Sequence, residues 1–96
     1  MASYRLSPRA QKEIADIWSD TVEHWGVPRA ERYVRQIAAS IELVAENPAI
    51  ARACDEIRPG YRKFPSGSHM LFIRVRRDGI EVVRILHGRM DFQRNL

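Results

Sequence analysis

The hydrophobic period of this chain changes once, at Asn47-Pro48, and that change constrains its architecture more than anything else in it. Before it, apolar residues recur at three- and four-residue steps, as one face of a helix requires. After it they alternate, as a strand with one buried face requires. A chain that is helical first and stranded later packs its helices on one sheet face, a two-layer α+β domain. Ser7-Pro8 supplies a helix N-cap and a first-position proline. Ala10, Ile14, Ile17, Trp18, Val22 and Trp25 then form one stripe, so a helix over about 8–25 is expected. Gly26 ends it, and a second helix over about 28–46 turns Ala30, Tyr33, Val34, Ile37, Ala38, Ile41 and Val44 to one side. So short a link folds the two helices into an antiparallel hairpin. Pro48 stops the second helix, because proline disfavours the helical conformation of the residue before it.

The second half reads as three strands. The first, about 57–64, is interrupted by Pro59-Gly60 and fits an edge or a bulge. Residues 65–68 form a turn, 69–76 a strand, Arg77-Asp78-Gly79 a hairpin turn and 80–87 the last strand. Tyr4-Arg5-Leu6 is a short strand candidate that needs a sheet edge, and the last strand offers one. The expected order is β-α-α-β-β-β, a helix hairpin on one face of a small, mainly antiparallel sheet, with residues 88–96 as an exposed polar tail. The whole of residues 1–96 is one domain, being too short for two. No run is long enough to span a membrane, and the N-terminus lacks a signal-peptide core, so the cytoplasm is the expected compartment. The lone Cys54 has no partner for an internal disulfide and no metal-ligand spacing around it.

The net charge is +4, and it is unevenly placed. Residues 1–46 are slightly acidic, whereas residues 47–96 are clearly basic and rich in arginine. Arg74 and Arg76 share one strand face, and Arg58, Arg62 and Lys63 on the neighbouring strand extend a cationic stripe. Such a stripe suits nucleic acid or an acidic protein partner; otherwise it is a solvated face that discourages edge aggregation. Trp18, Trp25, Tyr33 and Ile37 are core candidates, yet two tryptophans exceed what a thin core needs, so one of them can line a partner groove.

Arg84, His87, Arg89 and Asp91 cluster at the end of the last strand. A histidine beside arginine and aspartate can act as a general acid or base on RNA. Arg84 and His87 are three apart, so on a regular strand they face opposite sides and converge only through a bulge near Leu86. The plainer reading has His87 bonded to the strand-end backbone and Arg84 paired with a carboxylate. His24 and His69 have no spacing suited to a metal, and no phosphate loop or nucleophile elbow is present, so neither metal nor cofactor is expected.

Several stretches together resemble the ParE-type toxins of the RelE/ParE superfamily. They are Tyr4-Arg-Leu-Ser-Pro-Arg-Ala10, Glu13-Ile-Ala-Asp-Ile-Trp18, Ala30-Glu-Arg-Tyr33, Asn47-Pro48, His69-Met-Leu-Phe-Ile73 and Val83-Arg-Ile-Leu-His-Gly-Arg-Met-Asp91. The resemblance implies a toxin of a type II toxin–antitoxin module that inhibits DNA gyrase. It implies neutralisation by a cognate ParD-like antitoxin with a ribbon-helix-helix DNA-binding part, in a hetero-oligomer that touches promoter DNA only through the antitoxin. On this expectation the antitoxin meets Trp18, Trp25, Tyr33, Ile37, Arg58, Arg62, Arg74 and Arg76. Toxicity is expected to lie in Arg84, His87, Arg89, Asp91, Phe92 and Arg94.

The alternative is a RelE-like ribosome-dependent messenger-RNA endoribonuclease, with His87 as acid or base and Arg84 and Arg89 on the scissile phosphate. The chain departs from that branch. No tyrosine follows His87, Phe92 has no hydroxyl, and Lys12 and Lys63 are its only lysines. A non-enzymatic binding toxin is therefore expected.

Overall fold

In the computed structural model, which describes residues 3–96, Ser7 has two tasks. Its hydroxyl oxygen accepts from the Ala10 N–H at 3.0 Å, capping the first helix, α1 (Pro8–Trp25). The same hydroxyl donates to the Val83 carbonyl at 2.6 Å, fixing the helix start to the last strand. Gly26, at φ 89°, separates α1 from α2 (Val27–Glu46). Asn47-Pro48 ends α2 and opens a short 3-10 turn over Pro48–Ile50.

Five strands follow the order β1-β5-β4-β3-β2. They are β1 (Ser3–Leu6), β2 (Arg52–Ala53), β3 (Tyr61–Ser66), β4 (His69–Arg76) and β5 (Gly79–His87). β1 runs parallel to β5, as the free edge beside the last strand invites, and the other pairs are antiparallel. The strand expected over 57–64 lies later. Residues 57–60 form a turn in which the Asp55 carboxylate accepts from the Gly60 N–H at 2.8 Å, and pairing continues through Pro65 and Ser66. Pro65 tolerates its place because it sits opposite Met70 near a tight two-residue turn. β2 is an addition: two residues, too few to show a period.

β5 is not regular. Phe72 pairs with Arg84 but Ile73 pairs with Val82, so Val83 is an extra residue. The bulge keeps Ile80, Val82 and Ile85 all on the helix-covered face. There they pack with Leu71, Ile73, Ile37, Ile41 and Val44 in the main core. The other face is not bare. Cys54, Phe72 and Leu86 are buried there beneath Ile57, Tyr61, Met70, Phe92 and Leu96. Burial, with Glu56 next, pushes the Cys54 thiol above its ordinary pKa, which suits a small core filler rather than a nucleophile.

The β1–β5 contact depends on Gly79. A Cβ there would lie 1.9 Å from the Ser3 carbonyl oxygen, which is fixed backbone. Gly79→Ala is expected to force β1 away and cost about 1–3 kcal/mol. Urea unfolding, with amide exchange of residues 3–6, measures both effects.

Candidate functional site

The residues at the end of β5 divide between two sides of the sheet. The bulge at Val83 precedes Arg84, so Arg84 and His87 do not converge. Arg84 lies opposite Phe72, while His87 lies opposite His69. Arg84 is committed to structure: it is 8% exposed, and its guanidinium donates to Glu13 at 2.8 Å (Nε) and 2.7 Å (Nη2). It also donates to the Asn95 carbonyl. Glu13 uses its other oxygen to accept from the Ile85 N–H at 2.8 Å. β1 stops at Leu6, beside Val82, and Ser7 and Glu13 supply hydrogen-bond partners to β5 beyond that point. Glu13 did not stand out in the sequence; its partner is 71 residues away.

His87 keeps the backbone bond expected of a strand-end residue: its Nδ1 accepts from the Arg89 N–H at 3.1 Å. Its ring stands edge-on to His69, 5.3 Å away between centroids. Tyr33 closes the group. Its hydroxyl lies 2.6 Å from His69 Nδ1 and accepts from the Ser68 N–H at 2.9 Å. These residues, with Thr21, Trp25 and Arg29, line a cleft of about 310 Å³ between the helix hairpin and the β3–β4 turn. Burial and the neighbouring His87 hold His69 below the ordinary histidine pKa of 6.5, with Glu13 acting weakly the other way. His69 protonates more readily unfolded than folded, so its contribution is complete above about pH 6.5 and declines as pH falls below it. Tyr33→Phe removes partners from both His69 and Ser68, and is expected to cost about 1–3 kcal/mol in thermal unfolding at pH 7.5.

The remaining expected residues scatter. Trp25 is 63% exposed and carries the Arg29 guanidinium over its ring at 4.2 Å; Trp18 is partly exposed. Ile37 is 0% exposed and lies in the main core, so it cannot touch a partner; its position on the helix stripe reflects packing alone. The cationic stripe is broken. Arg62 lies opposite Ile73 on the helix-covered side and donates to the Ala51 carbonyl at 2.7 Å. Arg58 donates to the Leu96 carbonyl at 2.7 Å. Arg76 pairs with Glu81 at 2.7 Å, and Arg74 lies over Tyr61 at 5.8 Å. Arg74 and Arg76 are exposed on the face opposite the helices, and Arg58, also exposed, is tied to the Leu96 carbonyl.

The tail is docked rather than free. Asp91 caps a short helix, α3 (Phe92–Asn95), accepting from the Gln93 and Arg94 N–H groups at 3.1 and 3.4 Å. Phe92 meets Phe72 edge-on, 4.9 Å between centroids. Arg89 and Arg94 remain exposed. Among the described residues, no three His, Cys, Asp or Glu side chains gather closely enough to hold a metal ion. Among the described residues, no helix is long and apolar enough to cross a membrane.

A helix hairpin on one side of such a sheet is a fold shared with a known structure. The chain is similar to a structure titled chromosomal ParDE TA system from P. aeruginosa, with TM-score 0.78 and 19% identity over 91% of this chain and 96% of that one. The profile described as ParE toxin of type II toxin-antitoxin system, parDE, matches residues 4–92. Toxin ParE1 of Mycobacterium tuberculosis is 56% identical over 94 residues, 97% of this chain and 96% of that protein. Toxin ParE1 of Caulobacter vibrioides is 41% identical over 96 residues, 100% of this chain and 99% of that protein. The chain belongs to the ParE toxin family of type II toxin–antitoxin systems.

Proposed function

We propose that this chain acts in the cytoplasm as a non-enzymatic toxin that inhibits DNA gyrase and is held inactive by a ParD-like antitoxin of ribbon-helix-helix type. Family membership supports the pairing with an antitoxin. The state of Arg84 carries the preference for binding over cleavage. A nuclease site built on Arg84, His87 and Arg89 needs Arg84 free to meet a phosphate, yet its guanidinium is bonded to Glu13 and Asn95, on the other sheet side from His87. A binding toxin needs instead a shaped exposed surface, and Trp25 with Arg29 on one side and Arg74 with Arg76 on the other provide it.

The test is a supercoiling and cleavage assay with purified protein, plasmid DNA and gyrase. The expected result is lost supercoiling with trapped cleaved DNA. Full gyrase activity at saturating toxin, together with cleavage of messenger RNA on ribosomes, would overturn the reading. For the antitoxin, Trp25→Ala is expected to weaken binding by about 2 kcal/mol. The on-rate of the unaltered pair is expected to fall as salt rises, because Arg74 and Arg76 steer an acidic partner.

A further inference from the structure

The cleft bounded by Trp25, Arg29, Tyr33, His69 and His87 contains donors and no carboxylate. No Asp or Glu lines it, or the adjoining depression beside Arg29, Arg32 and Tyr33. The hydrogen bonds also fix which ring nitrogens remain. His69 Nδ1 is engaged by the Tyr33 hydroxyl, and His87 Nδ1 accepts from the Arg89 N–H. At His87 the neutral ring's proton is therefore on Nε2, and at His69 it is there too when the Tyr33 hydroxyl donates to Nδ1, so both rings can present an Nε2 donor. No buried side-chain nitrogen or oxygen among the described residues lacks a partner, so the half-buried His69 presents Nε2 to solvent. Arg29 has no carboxylate within ion-pair distance among the described residues; its guanidinium rests on Trp25 instead.

We infer that this cleft receives an aspartate or glutamate side chain of the antitoxin, and that seating it there draws a proton onto His69. The inference rests on the antitoxin reading above and adds the chemistry of one contact. Charge complementarity favours a peptide carboxylate: the exposed Trp25 face supplies apolar surface beside the donors, as an acidic residue on an apolar segment requires. In the free protein burial and then the neighbouring His87, 5.3 Å away between ring centroids, oppose protonation of His69, and Arg29 stands as a cation on the same rim. Glu13, the carboxylate that acts on His69, is already bonded to Arg84 and Ile85. An incoming carboxylate offsets the opposition, so the site charges as it fills. Protonation need not break the Tyr33 contact. The phenol oxygen has a second lone pair, so Nδ1–H can donate where it formerly accepted.

Two measurements test this. The first uses the isolated protein at pH 7 and follows imidazole resonances while sodium acetate is added, with sodium chloride at equal ionic strength as control. Acetate is expected to move His69 towards its protonated position, and chloride is not. The second measures antitoxin affinity against pH. One proton taken up gives a Kd that tightens by up to about tenfold for each unit the pH falls near neutrality. His69→Asn keeps an acceptor at the Nδ1 position and is expected to bind with a flattened pH profile. Acetate acting no differently from chloride, or a wild-type Kd indifferent to pH, would overturn the inference while leaving antitoxin binding intact. An antitoxin that fails to bind at every pH would instead remove the reading beneath it, whatever acetate does.

Discussion

Glu13→Ala is expected to lower the stability of this protein by about 3–5 kcal/mol, the range for breaking a buried ion pair from one side. The side chains are 19% and 10% exposed for Glu13 and Arg84, so little water can replace the lost carboxylate. Its removal strands a guanidinium and also the Ile85 N–H, which Glu13 alone satisfies at the sheet edge. For a domain of this size the loss corresponds to a fall in Tm of more than roughly 10 °C. Glu13→Leu combined with Arg84→Leu is expected to recover a large part of it, because the pair is worth far less than the cost of separating its members. Calorimetry of the unaltered protein and the two variants decides the matter. A single Glu13→Ala loss under about 1 kcal/mol would mean that solvent already serves Arg84.

Removing residues 91–96 is expected to cost about 2–4 kcal/mol, because it uncovers one side of the sheet. Phe92 and Leu96 cover Phe72, Leu86 and Cys54, and the Asn95 and Leu96 carbonyls accept from Arg84 and Arg58. A truncated protein that loses toxicity would thus report unfolding as readily as a lost target contact. Point changes separate the two. Arg89→Ala and Arg94→Ala alter exposed side chains and are expected to change stability by no more than about 0.5 kcal/mol. If the end of the chain contacts gyrase, those variants lose supercoiling inhibition with Tm unchanged. If they retain full inhibition, the target contact lies elsewhere.

The sequence announced whatever depended on local chemistry. Ser7-Pro8, Gly26 and Asn47-Pro48 carry cap and stop signals that act within a turn, and both long helices end where those residues stand. The placement of β1 was also legible, since a four-residue strand needs an edge and β5 had one. What escaped was set by distant partners. Nothing near Glu13 points to Arg84, and nothing near Tyr33 points to His69. The Val83 bulge follows from packing Val82 and Ile85 on the same side, a demand that a period-two reading of β5 does not register. Phe92 looked like part of a polar tail because its hydrophobic partner, Phe72, lies on the sheet side assumed to be open. Ile37 was placed on a partner groove because one helical stripe must serve both core and surface, and periodicity does not say which.

The parallel pairing of β1 with β5 also bears on how the toxin is born. Ser3 leaves the ribosome well before its sheet partner Gly79. The helix hairpin can form as it emerges, because its contacts are local, but the sheet it covers cannot close until β5 is free. Until then the nascent chain lacks its finished surface. The toxin's folded surface appears only once β5 has joined β1, after the helices are already in place.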